Sequence, residues 1–384
     1  MVAEGPTSRA GAPQSPAAGD HFRVLLFSDL RLDTTYEWAP PEIADARREA
    51  AREALVAVLG EARQRSVDAI AIAGDLFSRR TVRPANIQWL AAALRSTGVP
   101  VLIAPGNEDF IGPLGGYTAH EWPDNVTVFE TRDFSPVEIV DGVTIWGAAH
   151  TEAHQVRSFL DGVRVDRPGT NIALFHGTET GGIGREPLAD PCAEFDENAL
   201  ERAGFDHALV GHYERPHFGV LHTYAGAPVA HRFGLRGPHG AVVVTIGRDG
   251  VVDRDLVPIG SPDLQDIQVD LSGARSKRDV LRRVGDALTG SSGVVLLVLD
   301  GRLAPDIAVT RDDLVRLAPT PDSVIVQWDV GVDLDVDQVS HEQTIRGQFV
   351  RDVVSGDLAE DRQRRAWLIG LRALAGDDHL EGPG

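Results

Sequence analysis

The chain has 384 residues, of which 42% are hydrophobic, so it exceeds what one hydrophobic core usually serves and two or three domains are expected. Its formal net charge is −20, from 57 acidic against 37 basic residues, which disfavours nucleic-acid binding by the chain alone because an acidic surface repels a polyanion. Its single cysteine, Cys192, excludes a disulfide framework and a thiolate-rich metal site, and it favours a cytoplasmic protein. No basic residue stands beside Cys192 in the sequence, so this thiol is predicted to be inert.

Residues 1–20 are rich in Ala, Gly, Pro and Ser and lack the continuous apolar stretch of a signal peptide. They are predicted to form a disordered tail. Further along, no apolar run approaches the ~20 residues that span a bilayer. A soluble protein with no membrane partner is therefore expected.

Short apolar runs in the first two thirds of the chain are typical of strands that are buried on both faces. They cover residues 24–27, 69–73, 101–104, 172–175 and 208–210. Helical periodicity at 41–65 and 84–95 separates the first three runs, which predicts a layered α/β domain built from βαβ units. Residues 125–147 and 241–257 alternate and are interrupted by turns, so they are predicted to add antiparallel strands.

The last third of the chain repeats the alternation of strands and helices on a smaller scale. Strands are predicted at 266–271, 294–299 and 323–328, with helices at 277–288 and 311–317. This predicts a small α+β domain at 263–330. Residues 338–376 have helical periodicity with apolar stripes, which could pack on their own domain or dock a partner.

Each of the buried runs ends directly in residues that can bind a metal ion or a phosphate. In chain order these are Ser28-Asp29, Gly74-Asp75, Gly106-Asn107-Glu108-Asp109, His176-Gly177 and Gly211-His212-Tyr213-Glu214. Turn chemistry alone also places Gly, Asp and Asn at strand ends. Because ligands bind at the carboxyl ends of strands in open α/β sheets, however, the ordered tips are predicted to converge on one site. Carboxylates and imidazoles there favour manganese, iron or zinc.

The ordered motifs resemble those of calcineurin-like metallophosphoesterases over residues 22–258, and residues 344–352 resemble the tail of SbcD-type DNA repair exonucleases. This resemblance implies an α/β layered metallophosphoesterase sandwich at 21–260, a small α+β capping domain at 263–330 and a helical C-terminal tail. It implies metal-dependent hydrolysis of DNA phosphodiesters with one or two divalent ions, most often manganese. It also implies an SbcC-like ATPase partner that supplies most of the DNA contact, and the sequence leaves open whether the chain forms a homodimer.

The resemblance also assigns metal ligands. It makes Asp75 the bridge between two ions, with Asp29 on one of them. Asn107, His176 and His212 would bind the other ion.

The chain departs from the family at three positions where the family has histidine: Arg31, Glu108 and Glu214. Arg31 cannot bind a metal, because a guanidinium has only donors and stays protonated. Glu108 replaces the residue that helps to protonate the leaving oxygen, and a carboxylate near cations is a poor acid. Arg31 and Glu108 are therefore the candidate catalytic residues of a slow or altered hydrolysis.

Two arrangements of Arg31 and Glu214 are open. The pair could form a bidentate ion pair, with the guanidinium charge standing among Asp29, Asp75 and Glu214, so that arginine replaces a metal ion. Alternatively, Glu214 could bind metal with Asp29 and Asp75 in an oxygen-rich site for manganese or magnesium, while Arg31 binds the substrate phosphate.

Three functions follow from these alternatives. The first is a DNA nuclease subunit, reduced in one version to single-metal activity. The second is a catalytically inactive scaffold subunit of an SbcC-like ATPase complex. The third and weakest is a phosphoesterase for small molecules, which the acidic charge would not oppose. Outside the motifs, the remaining histidines are predicted to be structural, although His217 follows His212 closely enough to reach the site.

Overall fold

The computed structural model describes residues 21–113, 115–181, 190–234, 237–247, 250, 252–259, 264–304, 307–317, 323–333, 336–356 and 360–374. The predicted tail at 1–20 lies outside the described residues. The chain divides into two compact units. The first comprises residues 1–35, 46–229 and 237–261, and the second comprises 36–45, 230–236 and 262–384.

Strands and helices alternate in both units. Up to residue 258 they are β1 (His21–Phe27), α1 (Pro41–Gln64), β2 (Ala69–Ile72), α2 (Pro84–Arg95), β3 (Val101–Ile103), β4 (Val126–Val128), β5 (Ser135–Val140), β6 (Val143–Gly147), β7 (Thr170–His176), α3 (Glu197–Ala203), β8 (His207–Gly211), β9 (His217–Phe218), β10 (His222–Tyr224), β11 (Gly240–Gly247) and β12 (Val252–Pro258). From residue 264 onward they are β13 (Leu264–Asp270), α4 (Lys277–Leu288), β14 (Val294–Asp300), β15 (Arg302–Leu303), α5 (Arg311–Val315), β16 (Ser323–Trp328), β17 (Gly331–Val332), α6 (Val336–Ser340), α7 (Ile345–Ser355) and α8 (Glu360–Leu374).

Two six-stranded sheets form the first unit, with strand orders β12-β11-β1-β2-β3-β4 and β5-β6-β7-β8-β10-β9. The runs predicted to be buried strands are strands, and the layered α/β fold is confirmed. They are divided between the sheets: the first three become β1, β2 and β3, and the last two become β7 and β8. Within each sheet these strands pair in parallel, so their carboxyl ends lie at one edge.

The two-residue period of β1 explains why its run is apolar throughout. Leu25 and Phe27 face one way and pack with Leu55 of α1. Val24 and Leu26 face the other way, into the core that joins the two sheets. A strand buried on both faces shows no polar alternation, so the sequence reveals its burial but not the layers that cover it.

The antiparallel pairing predicted around 125–147 is partly wrong. β5 and β6 form the predicted hairpin, and β11 and β12 pair as predicted. However, β4 pairs in parallel with β3, and β6 pairs in parallel with β7. Alternation indicates which face of a strand is buried, whereas the direction of the neighbouring strand is decided by the connection between them.

The second unit contains the three-stranded sheet β13-β14-β16, in which both pairs are parallel. Helix α4 begins at Ser276, whose side chain accepts a hydrogen bond from Asp279 N, and it packs Val280 and Val284 into this unit's core. Thr310 and Asp313 form a capping box at the start of α5.

Helices α6 to α8 share a small apolar cluster. Among the described helices, none is both long and apolar enough to cross a membrane.

Candidate metal centre

Left-handed backbone shapes the strand tips. Asp29, Arg31 and Asp75 have φ values of 52°, 49° and 51°, and His212 has a φ of 112°. Such values are costly for residues with a Cβ and persist where the surroundings fix them. Here Asp29 N donates to Gly74 O at 2.9 Å, and Arg31 N donates to Asp75 O at 2.9 Å, so the tips of β1 and β2 hold one another.

Glycines let the tips approach each other. A Cβ at Gly106 would lie 2.3 Å from Asp75 Oδ1, and one at Gly74 would lie 2.6 Å from His176 Nδ1. A Cβ at Gly211 would lie 1.8 Å from Ala73 O. These positions admit only glycine, because any side chain would displace a candidate ligand or separate the two strand edges.

The Asp109 carboxylate connects the strand tips through hydrogen bonds. Its buried carboxylate accepts hydrogen bonds from the backbone nitrogens of Gly106 at 2.6 Å, Leu76 at 2.7 Å and Asp75 at 3.1 Å. It also accepts one from the Tyr117 hydroxyl at 2.6 Å. Burial raises the pKa of Asp109 despite these donors. Its role is to fix the loop that carries the neighbouring tips.

The predicted ligands on the two sheets converge. His176 Nε2 lies 3.0 Å from Asn107 Oδ1 and 3.7 Å from Asp75 Oδ2. Ligand atoms of Asp29, Asp75 and His176 lie within 4.8 Å of one another. The His176 and His212 rings have centroids 5.1 Å apart.

Backbone carbonyls fix the tautomers of both histidines. His176 Nδ1 lies 2.8 Å from Ala73 O, and His212 Nε2 lies 2.8 Å from Asp190 O. Since a carbonyl only accepts, these nitrogens carry hydrogens, so in the neutral rings that metal binding requires the lone pairs lie on His176 Nε2 and His212 Nδ1. A histidine that donates one ring N–H to a carbonyl while its other nitrogen points into a cluster is arranged as metal ligands are.

This half of the centre has the donor set of one divalent ion. His176 Nε2 and Asn107 Oδ1 face each other as two acceptors at 3.0 Å, an arrangement that a cation between them would resolve. Asp75 Oδ2 is buried and accepts no hydrogen bond from the described residues. Two imidazole nitrogens, an amide oxygen and a carboxylate oxygen therefore fit one ion.

Arg31 occupies the other half. Its Nη2 lies 3.3 Å from Asp75 Oδ2 and 3.5 Å from Asp29 Oδ1. The same nitrogen lies 3.9 Å from Glu214 Oε1. The three carboxylate side chains are fully buried, whereas that of Arg31 is 26% exposed. Although burial opposes the charged form, these carboxylates raise the pKa of Arg31 above its ordinary value.

These contacts do not form the bidentate Arg31–Glu214 pair considered above. The 3.9 Å approach is longer than a hydrogen bond, and the shortest contact of Arg31 is with Asp75 instead. A guanidinium placed among three carboxylates leaves no donor set for a second ion, so this half does not fit one. The three carboxylates can carry three negative charges, of which Arg31 balances one and a single divalent ion would balance two.

The two aspartates respond differently to this environment. Burial raises the pKa of Asp75 to about 7, and His176 and Arg31 only partly oppose it. Burial by itself also raises the pKa of Asp29. His176 and Arg31 together outweigh that effect and hold the pKa of Asp29 below its usual value. Asp29 Oδ2 also accepts a hydrogen bond from His212 N at 3.0 Å. Burial lowers the pKa of His212 to about 3, so this imidazole is neutral and able to bind a metal.

Glu108 lies at the mouth of the centre. Its side chain is exposed, while its backbone N donates to Asp75 Oδ1 at 2.9 Å. The carboxylate therefore stands at the tip where the sequence predicted it, and the backbone of the same residue helps to orient Asp75.

Sequence reasoning missed Cys192 as a member of the cluster, whereas it predicted a structural role for His150, which the structure places in a hydrogen bond beside the cluster. His150 Nε2 lies 2.8 Å from the backbone oxygen of His176, and burial lowers the pKa of His150 to about 3. Cys192 Sγ lies 3.6 Å from His212 Nδ1. Neither residue ends an apolar run, which was the signal that identified the others. His217, the other candidate, lies in β9 with its ring 5.5 Å from that of His222.

A family model, calcineurin-like phosphoesterase, matches residues 22–214. The chain belongs to this family. The recognised motifs and the strand-tip cluster fall within the matched segment, whereas β11 and β12 of the first sheet lie beyond it. The resemblance found in the sequence is confirmed. Members of the family use divalent metals, in accord with the donor set around His176.

The chain is also similar to two archaeal proteins called DNA double-strand break repair protein Mre11. The protein from Methanopyrus kandleri is 25% identical over 288 residues, which cover 62% of this chain and 58% of that protein. The protein from Haloferax volcanii is 26% identical over 371 residues, which cover 92% of this chain and 76% of that protein. The match to the first thus leaves more than a third of its length without a counterpart.

Among solved structures, a protein of Thermus thermophilus is similar with a TM-score of 0.38 at 12% identity, covering 61% of this chain and 98% of that one. A dimetal phosphatase from Danio rerio has a TM-score of 0.35 at 11% identity, covering 62% of this chain and 99% of that one.

Proposed function

We propose that this phosphoesterase is an SbcD-like, Mre11-like subunit of a DNA-processing complex that hydrolyses phosphodiesters with one divalent ion, and that Arg31 stands in the place of a second ion. The placement of the Arg31 guanidinium within 3.3–3.9 Å of three buried carboxylates carries this proposal. A permanent cation there balances the carboxylate charge as a metal ion would, but it cannot coordinate a ligand.

Asp75, Asn107, His176 and His212 would hold the ion. When bound, the ion would act as a Lewis acid on a phosphoryl oxygen and on a water molecule. The sequence resemblance names manganese as the first ion to test.

Arg31 has donors left for the substrate. Its side chain is 26% exposed, and its Nε has no acceptor among the described residues. A guanidinium can bind carboxylates through one nitrogen and a phosphate oxygen through others, because its five N–H groups diverge in one plane. Charge balance and phosphate binding by Arg31 are therefore compatible, although the sequence presented them as alternatives.

Glu108 makes the hydrolysis slow. The position carries an exposed carboxylate in place of the imidazole that would protonate the leaving oxygen. Restoring an imidazole there supplies a general acid, for which a gain on the order of 100-fold is typical.

The chain's charge of −20 supports DNA contact mainly through a partner. The SbcC-like ATPase implied by the resemblance is that partner in our proposal. We place the docking of this partner in residues 338–376, where α7 exposes the apolar side chains of Ile345 (76%) and Val354 (49%). The name of the two archaeal relatives supports the assignment to DNA repair.

A second candidate, a scaffold subunit without catalytic activity, is favoured by the same Arg31 contacts together with the loss of the acidic imidazole at Glu108. It differs in binding no ion. Native mass spectrometry of the full chain equilibrated with manganese separates the two: one ion per chain supports the one-ion enzyme, and none supports the scaffold.

Restoring the family histidines is the matched experiment. The variant Arg31→His/Glu214→His is expected to bind two ions, and adding Glu108→His is expected to raise cleavage of labelled duplex DNA and of bis(p-nitrophenyl) phosphate by at least about 100-fold. Asp75→Ala in each background is the control, since it removes a ligand shared by both halves. Wild-type protein that cleaves nucleotides but no DNA, with or without the ATPase, would contradict the nuclease assignment.

A further inference from the structure

Cys192 is fixed against the histidine half of the centre. Its backbone N donates to Thr178 Oγ1 at 3.0 Å, and its carbonyl accepts from Thr178 N at 2.9 Å. The residue is 5% exposed and Thr178 is 1% exposed. Two hydrogen bonds to one buried residue fix the backbone from which the Cys192 side chain extends.

The sulfur is directed at the proposed ligands. Cys192 Sγ lies 3.6 Å from His212 Nδ1 and 3.8 Å from Asn107 Oδ1. Ligand atoms of His176, Cys192 and His212 all lie within 4.8 Å of one another. A single ion can therefore be reached by the sulfur and by both imidazoles.

Coordination geometry accounts for the sulfur–nitrogen distance. With Zn–S near 2.3 Å and Zn–N near 2.0 Å, a tetrahedral angle places sulfur and nitrogen about 3.5 Å apart. The separation of Cys192 Sγ and His212 Nδ1 is 3.6 Å. Both atoms then need to move little to share an ion.

A hydrogen bond from the thiol explains less. A thiol has one hydrogen, and it can serve His212 Nδ1 or Asn107 Oδ1 but not both at once. It also leaves His176 Nε2 and Asn107 Oδ1 facing each other as acceptors at 3.0 Å. The buried Asp75 Oδ2, which forms an ion pair with Arg31 at 3.3 Å but accepts no hydrogen bond from the described residues, also lies 3.7 Å from His176 Nε2. A cation satisfies all of these groups together.

We propose that the Cys192 sulfur is a ligand of the ion held by His176 and His212, and that it makes this centre select a soft ion such as zinc over manganese. The inference rests on the proposed function and changes the identity of its ion. Thiolate and imidazole together favour zinc, whereas sites for manganese are built mainly from carboxylate and other oxygen ligands. Binding releases the thiol proton to solvent, and no oxidant or reductant is required.

Cobalt(II) is the probe for the test, because a thiolate ligand gives cobalt an intense near-ultraviolet charge-transfer band. The full chain, freed of metal with a chelator, is titrated with cobalt and then with zinc and manganese in competition. Cys192 is the only cysteine of the sequence, so such a band has one origin. Cys192→Ser and Cys192→Ala are the matched variants, of which the first keeps a small polar group and the second removes it.

The wild type is expected to bind one cobalt ion with the band, and both variants are expected to lose the band. Their preference for zinc over manganese is expected to fall by at least about tenfold. One bound cobalt ion without the band would overturn the role of Cys192 and leave the one-ion proposal intact. Failure of cobalt, zinc and manganese to bind at all would overturn the proposed function, and this inference with it.

X-ray absorption at the zinc edge keeps the test independent of the variants' folding. Wild-type protein loaded with zinc is expected to show one sulfur scatterer at about 2.3 Å. A shell of nitrogen and oxygen alone would overturn the inference.

Discussion

The two halves of the centre stabilise the same buried carboxylates in different ways. In one half, Asn107, His176 and His212 present lone pairs that an ion from solution would bind. In the other half, Arg31 supplies a permanent charge to Glu214 and its neighbours from within the chain. In our proposal, the site has lost one ion while its fold and its remaining ligands persist, because a cation of the chain replaces the charge.

The largest effect is expected from Arg31→Leu. Removing the guanidinium takes one cation away from three buried carboxylates, which costs about 3–5 kcal/mol of the free energy of unfolding in chelator. His176→Gln, the matched change in the other half, removes neutral hydrogen bonds and costs about 1 kcal/mol. Denaturant titrations measure both, and equal losses would contradict the electrostatic role of Arg31.

Asp75→Ala should affect both halves. Loss of a direct ligand exceeds the 10- to 100-fold effect of second-shell changes, so affinity for the ion is expected to fall by more than about 100-fold in calorimetric titrations. Asp161→Ala, which removes an exposed carboxylate paired with Arg157, serves as the control and should leave binding unchanged. Retained binding in Asp75→Ala would move the ion away from the proposed site.

His207, a buried histidine outside the centre, tests how burial alone lowers a histidine pKa. Burial lowers the pKa of His207 to about 3, and its Nε2 contacts the Thr223 hydroxyl at 2.9 Å. The unfolded chain, with a histidine pKa near 6.5, binds the proton first, so stability falls as the pH drops below about 6.5. The contribution of His207 should fall by about 2 kcal/mol between about pH 7 and pH 5.

His207→Gln removes this titration while keeping a polar partner for Thr223. Its unfolding free energy should vary with pH less steeply than that of the wild type, by about the same 2 kcal/mol. Identical slopes for the two proteins would show that His207 is not buried in its neutral form.

The smallest effect is expected from Glu108→Gln. The carboxylate is exposed and only the backbone of this residue contacts Asp75, so ion affinity should change by less than about threefold. A large loss of affinity would show that Glu108 is a metal ligand and that the centre extends to its mouth.

The position of the candidate ligands at the ends of strands predicted much of the centre. Parallel strands carry their tips to one edge, so Asp29, Asp75 and His176 could be grouped before any distance was known. Periodicity could not tell which sheet each strand joins, because a strand buried on both faces looks the same in either. Cys192 and Asp190 stand in a loop with no periodic signal, so only the fold shows that they contact His212.

Substitutions at former ligand positions were visible in the sequence, but their arrangement was not. The sequence left two arrangements of Arg31 and Glu214 open, one of them an ion pair with the guanidinium among Asp29, Asp75 and Glu214. The structure places the guanidinium among these three carboxylates, nearer to Asp75 and Asp29 than to Glu214. The direction of the Arg31 side chain depends on its left-handed backbone, with a φ of 49°. No residue pattern predicts this conformation.

Anomalous diffraction from crystals of the full chain soaked with zinc or manganese tests the central claim most directly. The account predicts one anomalous peak per chain, bounded by Asp75, Asn107, His176 and His212, with the Arg31 guanidinium still among the carboxylates. Two peaks, or one peak at the position of a displaced Arg31 side chain, would contradict it.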